Sequence, residues 1–110
     1  MFKRENRLVP GVRFSNSHTL IVPQFTLRDK ENDLGLNRFS IVVSKKVDTK
    51  AVVRNKVKRF FRTVLIAMSE KMKTGHDILF VVKKEFLNKN NEENLLAIKN
   101  SLQKSGLLIL

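Results

Sequence analysis

Along "RFSIVVS" (38 to 44), Phe39, Ile41 and Val43 alternate with Ser40, Val42 and Ser44. A period of two predicts a strand with one apolar face and one mixed face. The stretch "HDILFVV" (76 to 82) is instead almost continuously apolar, which predicts a central strand covered by a helix. "TLIVPQFTL" (19 to 27) is β-branched and apolar, but Pro23 lacks a backbone donor, so this segment reads as an edge strand or a bulged one. The polar "RDKENDLGLN", with Gly35 near its end, then reads as a hairpin connection to the strand at 38 to 44.

Two segments carry a helical pattern. The first runs from about Ala51 to Lys73, with Asp48 or Thr49 as its N-cap, Gly75 as its stop, and Lys71 and Lys73 near the negative end of its dipole. The second, "NEENLLAIKNSLQKSG" (91 to 106), has acids in its first turn, apolar residues at Leu95, Leu96, Ile98 and Leu102, and Gly106 after its end. The tail "LLIL" is a short added strand or a packed terminus. Residues 1–18, rich in Arg, Asn and Ser with a turn signal at Pro10-Gly11, read as a basic N-terminal arm. Strand, strand, helix, strand, helix predicts a small layered structure with its helices on one sheet face.

With 110 residues the chain suits one domain, the arm at 1–18 and a core at 19–110. No run approaches the roughly 18 to 20 apolar residues of a membrane span, and the N-terminus lacks a secretory apolar stretch, so a cytoplasmic location is expected. There is no cysteine. His18 and His76 are far apart and have no assigned role, so no protein metal site is expected. Asp29, Glu31 and Asp33 lack the glycine and terminal glutamate of a calcium loop and read as solvated.

Charge changes the picture most. The chain carries 22 basic and 10 acidic side chains, a net charge of +12, which predicts attraction to polyanions. At 100° per residue, Arg54, Asn55, Lys58, Arg59 and Arg62 fall within an arc of roughly 140°, opposite Val53, Val57, Phe60, Phe61, Val64 and Met68. Lys56 adds to the helix's charge, and Lys45 and Lys46 lie just upstream. From Ala51 to Ser69 there is no acid, although a merely solvated helix face usually intersperses acids to relieve repulsion. Like charges one turn apart cost about a few tenths of a kcal/mol per pair, which a bound polyanion would remove. A nucleic acid is therefore the expected partner, with no membrane. If about five phosphates are neutralised, affinity falls by several decades per decade of salt. Arginine suits bidentate phosphate contacts, and Asn55 can reach a base edge or a ribose hydroxyl.

These residues also resemble a family, the protein subunit of bacterial ribonuclease P. Its signature is a strand ending in S-K-K, a short turn, then A-V-x-R-N-x-x-K-R-x-x-R on a long helix. Here Ser44-Lys45-Lys46 precedes Ala51-Val52-Val53-Arg54-Asn55-Lys56-Val57-Lys58-Arg59-Phe60-Phe61-Arg62. The similarity covers roughly 34 to 105. It implies an α+β fold, a two-layer α/β sandwich with a small mixed sheet and a left-handed β-α-β crossover, as in a ribosomal-protein domain. General chain chirality would favour the right-handed form.

The resemblance further implies a monomeric protein that partners a catalytic RNA and precursor tRNA in removing the tRNA 5′ leader. Mg²⁺ would be held by the RNA and substrate, with no catalytic protein residue. It assigns Lys45, Lys46, Arg54, Asn55, Lys56, Lys58, Arg59 and Arg62 to RNA binding. The family's N-terminal helix, whose aromatics help form the leader cleft, is missing between "KRENRL" and "VPGVRF", leaving Phe14, Val22 and Phe39 as cleft candidates. The family's Gly-Asn turn is replaced by the longer Asp48-Thr49-Lys50. A structural RNA binder of ribosomal type is the alternative. A DNA-recognition helix would arrive with a neighbouring helix rather than strands, and a protein-only nuclease would need clustered carboxylates.

Overall fold

The computed structural model describes residues 6–8 and 17–109. Strands β1 (His18–Ile21), β2 (Phe25–Glu31) and β3 (Arg38–Val42) precede helix α1 (Ala51–Met68), followed by β4 (His76–Val82) and helix α2 (Asn91–Lys104). The sheet order is β1-β2-β4-β3, with β2 antiparallel to β1 and β4, and β3 parallel to β4. The near-continuous apolar run thus forms an interior strand, as its pattern predicts. The segment 3 to 14, read from sequence as lacking the family's N-terminal helix, lies largely outside the described residues.

One sheet face meets the helices. In register, Leu27 lies opposite Phe80, Phe25 opposite Val82, and Phe39 opposite Ile78, all of them buried. Phe61 of α1 closes the core: its ring centroid lies 5.0 Å from Phe80, 5.2 Å from Phe86 and 5.6 Å from Phe25. Edge-on and offset geometries of this kind add to the gain from burying apolar area. Ile98 and Leu102 of α2 join the same core.

The predicted strand at 19 to 27 is two strands. Pro23 ends β1 because it cannot donate to the ladder, and the Val22 amide donates to the Phe25 carbonyl at 3.0 Å to close a tight turn. The hairpin is therefore at 22–25, and not at 28–37. "RDKE" belongs to β2, whose outward positions are charged because that face meets water, while Asp29 turns inward and is buried. Asp29 and Glu31 are strand residues and Asp33 lies in the following loop, so the three share no loop. That loop carries the chain past β4 to β3. Asn32 holds it, donating from Nδ2 to the Leu36 carbonyl at 3.2 Å and to Asp77 Oδ1 at 2.8 Å.

Helix α1 ends at Met68, before the predicted Lys73, and passes through a 3-10 turn at Ser69–Lys71. The cause is the C-terminal tail: Met72 is buried and bridges Leu108, and the Lys73 amide donates to the Leu107 carbonyl at 2.8 Å. The tail is a packed terminus with a single bridge. Gly75, at φ +86°, serves the turn into β4, where its carbonyl accepts from the Asn32 amide, and does not cap the helix. In α2, the Asn90 side chain accepts from the Glu93 amide at 2.8 Å, an N-cap the acid-rich first turn foreshadowed. Ile98 and Leu102 are buried as predicted, but Leu95 and Leu96 are 37% and 57% exposed. Asn94 and Ser101 take inward positions, with their polar hydrogens donated to the Phe86 and Ile98 carbonyls.

One ion pair ties β3 to β4. The Arg38 guanidinium donates from Nε and Nη2 to the two Asp77 oxygens at 2.8 and 2.7 Å. Burial raises the Asp77 pKa, but the hydrogen bonds from Arg38 and Asn32 and the Arg38 charge outweigh it, so the net shift is downward from 3.8. A depressed carboxylate stabilises the fold above its ordinary pKa, and the contribution is lost as pH falls through the folded value. Asp77→Asn is expected to cost about 2 kcal/mol at pH 7, the scale of hydrogen bonds to a charged group. Denaturant titrations should show this deficit shrinking below pH 3.8. An equal deficit at both ends of the pH range would contradict the assignment.

Candidate nucleic-acid interface

Val57, Phe61, Val64, Leu65 and Met68 face the core, and this fixes how α1 is turned. Asn55, Lys56, Arg59 and Arg62 are then exposed, with Arg54 and Lys58 half-buried. Val53 and Phe60, predicted for the apolar side, are only half-buried, and Leu65 joins the core instead. Among the described residues, the ion pairs are His18 with Asp29, Arg38 with Asp77, and Lys89 with Glu93. None of them involves a cation of α1.

The turn before α1 presents the two upstream lysines. Val43 and Val47 are buried, and the Val47 amide donates to the Ser44 carbonyl at 3.0 Å, so Lys45 and Lys46 at the turn's tip are exposed. Neither Asp48 nor Thr49 caps the helix. Lys50 is the N-cap and has no side-chain cap bond, while Asp48 Oδ1 accepts from the Lys50 amide at 2.8 Å. Arg54 reaches back instead: its Nη1 donates to the Asp48 carbonyl at 3.0 Å and the Thr49 carbonyl at 2.7 Å. A guanidinium has five donors, so Arg54 can brace this turn and still face a phosphate.

The predicted single ridge has two flanks. On one, Lys58 and Arg62 line a cavity of about 350 Å³ with Phe39, Ser40 and Ile41 of β3 and with Arg7 and Leu8. On the other, Lys56 and Arg59 line a cavity of about 490 Å³ with Phe60, Phe86, Lys89 and Asn94. Arg7 is missing from the sequence-based set because a contact across the chain places it. The Leu8 amide donates to the Phe39 carbonyl at 2.9 Å, and Asn6 Nδ2 donates to the Asn37 carbonyl at 2.7 Å, which docks residues 6–8 on the β3 edge.

Of the leader-cleft candidates, Phe14 lies outside the described residues. Phe39 is a buried core residue that lines the first cavity. Val22 sits elsewhere, in the β1–β2 turn, where its carbonyl accepts from Lys83 Nζ at 2.9 Å. The structure does not gather Val22 and Phe39 around one cavity.

His18 Nδ1 lies 3.6 Å from Asp29 Oδ2. Burial pushes the Asp29 carboxyl up, and the neighbouring His18 and His76 only partly offset this. Among the described residues no group of three or more His, Asp or Glu side chains is placed to hold a metal ion. No helix among them is long and apolar enough to cross a membrane.

The bracing role of Arg54 can be measured directly. Arg54→Ala is expected to lower stability by about 1 kcal/mol through loss of the turn contacts, whereas Asn55→Ala, which removes no such contact, should stay within about 0.5 kcal/mol of wild type. Thermal unfolding in high salt, where surface repulsion is screened, makes the comparison.

The sequence and the fold both have known counterparts. The family pattern described as Ribonuclease P matches residues 2–106. A Ribonuclease P protein component of Thermoanaerobacter sp. (strain X514) is 34% identical over 91 residues, covering 83% of this chain and 74% of that protein. The RNase P protein of Thermotoga maritima superposes with a TM-score of 0.72 at 26% identity, over 80% of this chain and 83% of that one. That of Staphylococcus aureus shares the fold, with a TM-score of 0.78 at 22% identity over 84% of each chain. A match that runs through the strand, the S-K-K turn and the whole of the basic helix makes this chain a member of the ribonuclease P protein family.

Proposed function

We propose that this chain is the protein subunit of a ribonuclease P holoenzyme, in which it binds the catalytic RNA and precursor tRNA and promotes endonucleolytic removal of the 5′ leader. The observation that carries the reading is the acid-free cation surface of α1, held outward by the core in a chain of this family. Lys45, Lys46, Arg54, Asn55, Lys56, Lys58, Arg59 and Arg62 are the contacts proposed for RNA. Guanidinium and ammonium groups neutralise phosphates and release counterions, so binding is salt-dependent. A ribosomal role loses its support, since the family match points to leader processing.

The protein's contribution is positional and electrostatic. No catalytic side chain is assigned to it. Mg²⁺ is proposed to be held by the RNA and substrate, as the family resemblance implies, and no step is routed through a protein-bound ion. Excess positive charge beside the cleavage site lowers the repulsion between two polyanions, which lets the reaction proceed at lower Mg²⁺. The cavity between β3 and α1, where Arg7, Lys58 and Arg62 converge, is the place proposed for leader phosphates. The proposed setting is cytoplasmic, with one protein copy per RNA.

The test is cleavage of a precursor tRNA by a bacterial ribonuclease P RNA at low Mg²⁺ and near-physiological salt, with and without the protein. Stimulation is expected, and an Arg59→Ala, Arg62→Ala variant should lose it through an affinity for the RNA about ten- to a hundredfold weaker. A wild-type protein that binds RNA in a salt-sensitive way yet gives no stimulation would contradict the reading.

A further inference from the structure

A third cavity, of about 770 Å³, lies between the C-terminal half of α1 and the body of α2. None of the residues proposed for RNA lines it. Val64 and Met68 are buried and give it an apolar floor, Ala67 and Leu95 stand on the two helix walls, and Leu108 and Ile109 of the C-terminal tail supply a third wall. The tail is held in place there: the Ile109 amide donates to the Lys71 carbonyl, and the Leu107 amide to the Leu102 carbonyl at 2.9 Å. Leu95 and Ile109 keep much of their surface in water, and covering it is favourable. A preformed, mainly apolar cavity between helices is a common form of small-molecule site, and such sites span roughly 300 to 1,000 Å³.

The polar residues around this cavity decide the class of ligand. Lys71 lines it from the 3-10 turn and Lys99 from α2; both are exposed, and neither is in an ion pair among the described residues. Among those residues no aspartate or glutamate lines the cavity. A lysine stem lies along apolar surface while its ammonium stays in water, so both charges can meet the end of a ligand at the mouth without being desolvated. An apolar body with one anionic end is complementary to this arrangement. RNA is not: the lining has no aromatic ring on which a base could stack and no guanidinium to hold a phosphate by two bonds, both of which the cavity beside Phe60 and Arg59 does have.

We propose that this cavity binds a soluble medium-chain carboxylate, with its hydrocarbon chain between α1 and α2 and its carboxylate between Lys71 and Lys99. The bound chain joins both helices to the tail, so occupancy stabilises the fold by mass action. The site goes beyond the RNA-binding reading and does not depend on it, since the two share no residue.

The probe is octanoate, with acetate as the charge without the chain and 1-octanol as the chain without the charge, each titrated into the full chain at neutral pH and followed by ¹H–¹⁵N NMR. Octanoate is expected to shift the Ala67, Lys99 and Ile109 amides in a saturable way. 1-Octanol should bind at the same place about fivefold more weakly, and acetate should give no saturable shift. Lys71→Gln, Lys99→Gln is expected to bring octanoate down to the affinity of 1-octanol. Ala67→Leu, which fills the cavity from an exposed helical position, should weaken both. Equal affinity of the wild-type protein for octanoate and 1-octanol would overturn the carboxylate assignment. Octanoate shifts confined to the Arg59 and Arg62 face would overturn the site. So would movement of the Ala67, Lys99 and Ile109 amides on raising the protein concentration alone, or displacement of octanoate by ribonuclease P RNA, which would make a second copy or the RNA the occupant.

Discussion

The contact on which the rest depends is the seating of Phe61 among Phe25, Phe80 and Phe86. Phe25 and Phe80 belong to the sheet and Phe86 to the 3-10 turn after β4, so one ring of α1 locks the helix to three separate pieces of chain. Because residues follow one another at about 100° around a helix, fixing Phe61 inward fixes Arg59 and Arg62 outward. A rotation of one residue would carry Arg62 toward the core, where an unpaired charge costs several kcal/mol, a much larger penalty than any surface contact returns. Packing therefore sets the geometry of the interface.

Charge is arranged to leave that interface uncompensated. Three acids do structural work away from α1: Asp77 binds Arg38 across β3 and β4, and Glu92 and Glu93 sit in the first turn of α2, at the positive end of its dipole. Helix α1 has no acid in its own first turn and no side-chain cap on its N-terminal amides. Both features cost the free protein some stability, and a bound polyanion relieves both. Arg54 joins the two demands, since it braces the Asp48–Thr49 turn and so sets where Lys45 and Lys46 stand relative to the helix.

Short-range patterns were legible in the sequence where one physical cause dominated. The alternation of Phe39, Ile41 and Val43, the apolar run of β4 and the two-faced period of α1 all predicted elements that exist. Competing causes hid the others. Pro23 within an apolar run pointed to an edge strand or a bulged one; β1 is an edge strand, but Pro23 ends it before the next strand begins. The charges of "RDKE" concealed a strand whose outward face is simply wet. Gly75 and the lysines before it resemble a helix stop, yet the helix ends sooner because Leu107 and Leu108 draw Met72 and Lys73 into an extended pairing. Arg7 could not be found by spacing at all, since it reaches its cavity through contacts with residues distant in the chain. The division of one predicted ridge into two flanks has the same origin: β3 walls one side and the Phe86 turn the other.

The most direct test of an uncompensated cation surface built to meet phosphate is the slope of log affinity against log salt for binding to a bacterial ribonuclease P RNA. Each neutralised phosphate contributes about 0.7 to 0.9 to that slope. Arg59→Ala, Arg62→Ala is expected to flatten it by about 1.5 while the unfolding temperature stays the same or rises as repulsion is relieved. An unchanged slope in a folded double variant would mean that the outward face of α1 does not meet the RNA backbone, and would contradict the account.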